Sequence, residues 1–179
     1  QGPFAARTKL AYLMGVPPSQ IHVFTDRVGG GFGGKQEMVS EDLPLFASMK
    51  LGGRPVKWEW THEEEYIGAT TRHQMTTRIK LGAKKDGTLT ALDVHVVSNT
   101  GAYGNHASET LAAAMASPFA AYRCANKKGI GQVVYTNMTP GGGFRGYGAS
   151  QTTFAMESAI DELARVLDMD PVALRQRNI

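Results

Sequence analysis

Lys85-Asp86-Gly87 separates two stretches of alternating apolar and polar residues, 73–83 and 88–98, and this arrangement decides the class of fold. Successive side chains of an extended strand point to opposite faces, so alternation lays one apolar face against a core. Asp-Gly supplies the positive φ that a tight connection needs, which makes this the strongest short-range hairpin signal in the chain. Downstream, residues 107–120 are small and alanine-rich and read as helical or irregular, and 130–136 reads as a strand. Phe154, Ile160, Leu163, Val166 and Leu167 then recur at helical spacing between Gln151 and Leu167. Asp170-Pro171 starts a last short helix with an N-cap followed by Pro at the first helical position.

Upstream of the hairpin, residues 4–14 carry Leu10, Leu13 and Met14 at helical spacing, and Gly15 closes that helix. Ile21-His22-Val23-Phe24 and Val56-Lys57-Trp58-Glu59-Trp60 alternate as strands do. Residues 38–51 read as a helix, with Pro44 arguing for a kink or a late start, and Thr61-His62-Glu63-Glu64 is a capping-box signature. The expected class is α+β, with mixed or antiparallel strands, a hairpin and packed helices, and no regular βαβ alternation. Strand, glycine loop and helix follow one another twice, at 21–51 and at 130–167.

The length of 179 residues suits one sizeable domain, or two lobes sharing a core at roughly 1–60 and 61–179. The formal charge of +3 is mild and spread along the chain, and no basic run interleaves with aromatics, so no nucleic-acid partner is expected. No apolar run is long enough to cross a bilayer, so no membrane is expected either. The lone Cys124 excludes a disulfide or a cysteine-ligated cluster within this chain and fits a reducing, cytoplasmic setting. The five histidines (22, 62, 73, 95 and 106) show no metal-ligand spacing and read as strand or surface residues. Glu37, Glu41 and Glu63 to Glu65 read as solvated or capping carboxylates. Gln1-Gly2-Pro3-Phe4 leads straight into a helix, and Arg175-Gln176-Arg177-Asn178-Ile179 ends with a helix barely finished, so a piece of a longer protein is expected.

Two glycine loops concentrate the chemistry. Gly29-Gly30-Gly31-Phe32-Gly33-Gly34-Lys35-Gln36 has the spacing of a phosphate-gripping P-loop, but Gln36 stands where a hydroxyl residue must ligate magnesium. A dinucleotide fingerprint also fits at Gly29, Gly31 and Gly34, although no βαβ unit follows. The third reading needs only backbone physics: glycines allow positive φ and bring main-chain N–H groups close to an anion or oxo group. Five glycines within six residues carry a large entropy cost for a plain turn, which favours that functional reading. Pro140-Gly141-Gly142-Gly143-Phe144-Arg145-Gly146-Tyr147-Gly148-Ala149-Ser150-Gln151 repeats the logic and adds the donor fork of Arg145.

The two loops in this order resemble the pair of cofactor loops in the xanthine dehydrogenase and aldehyde oxidase family of molybdenum hydroxylases. Ser98-Asn99-Thr100-Gly101-Ala102-Tyr103 and Val134-Tyr135-Thr136-Asn137 support the likeness, which runs over essentially the whole chain. The resemblance implies part of a molybdopterin-binding domain, its cofactor a molybdenum-bound pyranopterin in mononucleotide or dinucleotide form. It also implies iron–sulfur clusters and FAD on other domains or subunits, an oligomeric assembly, and a small heterocycle as substrate. The implied reaction is hydroxylation of an electron-poor carbon with water as oxygen source. By likeness, Gln1 matches the glutamine that meets the molybdenum oxo group. Gly31, Phe32 and Gly33 match the loop beside the metal, and Arg145 and Gly146 the second loop. Tyr147 matches a substrate-stacking aromatic, and Gln36 a substrate-binding position that is Glu in mammalian-type xanthine oxidases.

The resemblance also departs from that pattern. Ala113 stands where those oxidases place a substrate-binding Arg, so a nicotinate-like heterocycle or an aldehyde is an alternative to a purine. The family's general base, a Glu in a Gly-Glu-Pro setting, is expected downstream, which leaves no catalytic residue in this stretch and an inactive fragment by itself. A non-catalytic binding module that keeps the glycine loops is the alternative of a different class.

Overall fold

The computed structural model describes residues 2–179, which fall into two compact units divided between Thr71 and Arg72. The first unit opens with α1 (Pro3–Met14), started by Pro at its first positions and stopped by Gly15 at φ 66°. The left-handed turn at Gly15 is one that a side chain would strain, and its N–H closes on the Tyr12 carbonyl at 3.2 Å. A short 3-10 turn (Pro18–Gln20) follows, then α2 (Asp42–Lys50) and α3 (His62–Gly68). The capping box at Thr61 is present in both directions: Glu64 N–H donates to the Thr61 hydroxyl, and Thr61 N–H to the Glu64 carboxylate at 2.8 Å. The α2 helix begins at Asp42 rather than at residue 38, which puts Pro44 in the first turn, where its missing N–H costs nothing.

Residues 21–24 and 56–60, expected as strands, form no ladder among the described residues. Their alternation is real, and what is lacking is a hydrogen-bonding neighbour. Leu10 and Ala11 are the buried apolar residues of this unit, whereas Phe4, Tyr12, Phe24, Trp58, Tyr66 and Ile67 lie at least half exposed.

The second unit is built on a three-stranded sheet in the order β2 (Gln74–Ala83), β3 (Leu89–Gly101), β4 (Asn126–Tyr135). The hairpin β2–β3 is antiparallel, with Gln74 opposite Asn99 and Leu81 opposite Leu92. Its turn closes by Lys84 N–H to the Thr88 carbonyl at 2.9 Å, with Gly87 at φ 86°. The strand β4 runs parallel to β3, and the crossover between them is α4 (Ala107–Ala121). This single βαβ crossover makes the sheet mixed, as an α+β fold without regular βαβ alternation allows. Gly129 and Gly131 let α4 lie close on β4, since a Cβ at Gly129 would stand 2.7 Å from the Met115 side chain. The two-residue strands β1 (Thr71–Arg72) and β5 (Gly141–Gly142) pair separately.

The core of this unit lies between the sheet and α5 (Ala149–Leu167). Leu92, Val94 and Val96 project from one face of β3 against Met156, Ile160 and Ala164, all with 1% exposure or less. Full burial of each large aliphatic side chain contributes roughly 1.5–3 kcal/mol. The last helix, α6 (Pro171–Asn178), adds Leu174 to this core and is capped by Asp170, whose carboxylate accepts from Ala173 N–H at 2.8 Å. Buried Asn178 ties α6 to the hairpin: its amide donates to the Gly87 carbonyl and its oxygen accepts from Leu89 N–H, both at 2.9 Å. Cys124 packs half-buried beside the core, its thiol donating to the Asn126 carbonyl at 3.3 Å. No helix of the described residues is long and apolar enough to cross a membrane.

Candidate cofactor and substrate site

The first glycine loop folds as consecutive turns, with Gly34 N–H donating to the Gly31 carbonyl at 2.8 Å and Gln36 N–H to the Gly33 carbonyl at 3.1 Å. Gly30 and Gly33 have φ of 156° and 98°, and Phe32 between them has φ 50°. A left-handed conformation costs a residue with a side chain roughly 1–2 kcal/mol, and such outliers gather at functional sites. Phe32 is 69% exposed, and its ring folds back so that a Cβ at Gly30 would stand 2.8 Å from it. The backbone at Gly29 is open, with nothing within 4 Å of where a Cβ would lie. Gln36 is half-buried, and next to it Glu37 is buried, not solvated as its sequence setting suggests. Glu37 lines a cavity of about 360 Å³ together with Lys35, Glu41, Trp58, Trp60 and Glu65. Glu41 closes its own loop by accepting from the N–H groups of Val39 and Ser40 at 2.8 and 3.1 Å.

The second loop rests on the end of the sheet. Gly141, Gly142 and Gly143 are buried, and the chain then emerges at Phe144, Arg145 and Gly146. Three consecutive residues, Gly146, Tyr147 and Gly148, hold positive φ of 93°, 46° and 89°. Tyr147 N–H donates to the Phe144 carbonyl at 2.7 Å and Ala149 N–H to the Gly146 carbonyl at 2.8 Å, so this arc is closed at both ends. The Tyr147 ring lies 6.4 Å from that of His106 at an interplanar angle of 59°. Ala113 lies half-buried on α4.

Residues outside the glycine motif brace this loop. Arg72 donates from Nη2 to the Arg145 carbonyl at 2.7 Å and from Nη1 to Ser150 Oγ at 2.9 Å, with its guanidinium 4.4 Å above the Phe144 ring. His73, expected on a strand or surface, is only 2% exposed. Its Nδ1 lies 3.0 Å from the Asn99 carbonyl, which can only accept, so Nδ1 carries the proton. Its carbonyl accepts from Gln151 Nε2 at 3.1 Å, and its ring fills the space over Gly141, where a Cβ would come within 2.5 Å of Nδ1. Asn105 Nδ2 donates to the Gly141 carbonyl at 3.0 Å, and Asn99 Oδ1 accepts from Gly101 N–H and the Thr136 hydroxyl, both at 2.8 Å. Asn99 thus ties the segments 98–103 and 134–137 to each other, and Asn105 reaches the second loop. Arg72 stands just before the run 73–83 and His73 opens it, and neither carried any further signal.

Gly31, Phe32, Gly33 and Gln36 therefore share one loop, and Arg145, Gly146 and Tyr147 the other, each loop within its own unit. Gln1 lies outside the described residues. Among the described residues no cluster of three or more His, Cys, Asp or Glu side chains could hold a metal ion. A metal bound here would take its ligands from a carrier group, with the protein supplying main-chain donors and aromatic walls. Taken separately, the open backbone and left-handed Phe32 of the first loop, and the left-handed arc beside Arg145 in the second, are each of a kind that fits an anionic, oxo-bearing group.

The fold is an α+β domain that carries two glycine-rich loops with left-handed backbone. The chain belongs to the molybdopterin cofactor-binding domain family, whose model matches residues 1–179. It is 40% identical over 178 residues to a probable hypoxanthine oxidase of Escherichia coli strain K12, covering 99% of this chain and 18% of that protein. It is 33% identical to the nicotinate dehydrogenase large molybdopterin subunit of Eubacterium barkeri, covering 99% of this chain and 42% of the relative. The aldehyde oxidoreductase of Desulfovibrio gigas superposes with a TM-score of 0.89 at 36% identity, over 96% of this chain and 19% of that one. The chain thus spans less than half the length of each of these proteins.

Proposed function

We propose that this chain is the molybdenum-cofactor-binding portion of an oxidoreductase that hydroxylates an electron-poor carbon of a purine or related N-heterocycle, with water as oxygen source. The observation that carries the reading is the pair of left-handed aromatic residues, Phe32 and Tyr147, each set among positive-φ glycines in a family-matched loop. The bound molybdenum–pterin group would supply oxygen transfer to carbon and accept the two electrons released. In this reading the backbone at Gly31, Phe32 and Gly33 and at Arg145 and Gly146 holds that group by N–H donation, joined by the Gln1 amide. Tyr147 stacks on the flat substrate, and Gln36 offers it a neutral amide that both donates and accepts. Iron–sulfur and FAD subunits or domains would take the electrons onward, and the general base would come from outside these residues.

A second reading, a nicotinate-like heterocycle or an aldehyde as substrate, is favoured by Gln36 and Ala113, which leave no charged pair to orient a purine. The likeness to both a nicotinate dehydrogenase and an aldehyde oxidoreductase supports it.

The test is the molybdenum and pterin content of the full-length protein, purified anaerobically with its neighbouring subunits. Near-stoichiometric content, lost when Arg145 or the Gly29–Gly34 loop is altered, is the expected result. Absence of both from a folded assembly grown with molybdate would leave a non-catalytic binding module and end the hydroxylase reading.

A further inference from the structure

We infer that Arg72 is the positioning residue of the second glycine loop, setting the main chain at Arg145 and Gly146 for the cofactor. The inference rests on the hydroxylase reading above for what the loop holds, and on geometry for how it is held. The strained arc Gly146–Gly148 has two flanks, and one guanidinium reaches both. On the entry side Nη2 donates to the Arg145 carbonyl at 2.7 Å, and the guanidinium lies over the Phe144 ring at 4.4 Å. On the exit side Nη1 donates to Ser150 Oγ at 2.9 Å and to Gln151 Oε1 at 3.3 Å, at the first turn of α5.

These contacts use the separate faces of one planar cation. The stacking face takes Phe144, one amino group takes the loop carbonyl, and the other takes the helix start. Lysine cannot replace it, because an ammonium has no plane to lay on the ring and no fork to span the two flanks. Gln151 extends the brace, since its Nε2 donates to the His73 carbonyl at 3.1 Å and so ties the exit side to the buried start of the hairpin. A left-handed non-glycine residue persists only when its surroundings over-determine it, and for Tyr147 at φ 46° that surrounding is a loop clamped at both ends by Arg72.

The experiment compares Arg72→Ala, Arg72→Lys and Phe144→Leu in the full-length protein with its partner subunits. Hydrogen exchange of the segment 143–150 is measured on protein grown without molybdate, and molybdenum per chain on protein grown with it. Loss of charge-assisted hydrogen bonds should speed exchange in this segment roughly tenfold or more in Arg72→Ala, with β3 unchanged. Molybdenum content should fall alongside. Arg72→Lys should behave like Arg72→Ala, and Phe144→Leu should move both readouts the same way by less. Added methylguanidinium should restore Arg72→Ala toward the wild type, and ammonium should not.

Unchanged exchange in 143–150 would overturn the inference. So would faster exchange with full molybdenum content, or exchange rising equally in β3 and α5, which marks a merely structural arginine. Absence of molybdenum and pterin from the wild-type protein sinks the hydroxylase reading instead, and the exchange arm alone then decides whether Arg72 orders the loop.

Discussion

Gly148 joins the second glycine loop to α5, and replacing it with alanine separates two costs that usually arrive together. Its φ is 89°, a conformation that costs a residue with a Cβ roughly 1–2 kcal/mol. The added Cβ would also stand 2.4 Å from the Thr110 carbonyl oxygen and 3.0 Å from the Ala114 Cβ, both on α4. Backbone cannot rotate aside as a side-chain tip can, so this overlap costs about 1–3 kcal/mol more. Relief by moving α5 would stretch the buried hydrogen bond from the Thr152 hydroxyl to the Ala114 carbonyl, now 2.7 Å, and so costs about as much. The control is Gly87→Ala, with nearly the same φ of 86°, where the atoms nearest the Cβ are side-chain ends of Met169 and Leu174 and not backbone. Gly148→Ala should therefore destabilise the unit by about 2–5 kcal/mol, exceeding Gly87→Ala by about 1–3 kcal/mol. Segment-resolved hydrogen exchange across a urea series of the full-length protein reads both values at α4, α5 and β3. Equal losses for the two variants, within about 0.5 kcal/mol, would refute the claim that contact between α4 and the loop end requires glycine here.

Gly141→Ala should cost about 2–4 kcal/mol, because its Cβ would displace the His73 ring from the Asn99 carbonyl, and a second His73→Ala change should recover part of that loss in urea unfolding. Asn178→Ala should cost about 2–4 kcal/mol and release α6 first, since its side chain makes three buried hydrogen bonds, to Gly87, Leu89 and Leu174; protection of the α6 amides measures this. Burial, with help from the Glu157 carboxylate 2.7 Å away, pushes the Tyr122 hydroxyl from 10.0 up to about 12. A raised value means the fold prefers the protonated phenol, so its contribution is whole below pH 10 and is lost as pH rises through about 12. That loss amounts to at most about 2–3 kcal/mol. Tyr122→Phe should flatten the alkaline limb of a stability-against-pH curve, and an unaltered limb would show that another group sets it.

The elements legible in the sequence are those whose reason is local. The β2–β3 hairpin is announced by alternation and Asp-Gly, and its register follows from a turn of fixed length. The α5 helix and the Thr61 capping box are likewise announced within a few turns of chain, although Phe154 and Val166 of the expected stripe lie exposed and Met156 and Ala164 face the core instead. Boundaries and pairings that depend on a distant partner were not legible, although the strand at 130–136 was. The strand β4 begins at Asn126, well before the apolar run at 130, because pairing with β3 and two glycines under α4 hold it there, not its own propensity. Residues 21–24 and 56–60 show the converse, with alternation but no neighbour to make a ladder among the described residues.

The candidate site divides along the same line. Glycine marks where positive φ is needed, so Gly30, Gly33, Gly146 and Gly148 are visible in composition. Phe32 and Tyr147 take the same conformation without any such mark, because a side chain's φ is set by what surrounds it. Glycine content alone suggests loose loops, yet each left-handed stretch is bracketed by short turn bonds, from Gly34 to Gly31 and from Tyr147 to Phe144. Glycine here admits a fixed shape, and the fixing comes from Arg72 and His73, which lie seventy residues from the loop they brace. A motif scan weighs the glycines and passes over the arginine. The physical requirement runs the other way: a strained arc without a clamp relaxes, and in the proposed reading its N–H donors would then turn away from the cofactor.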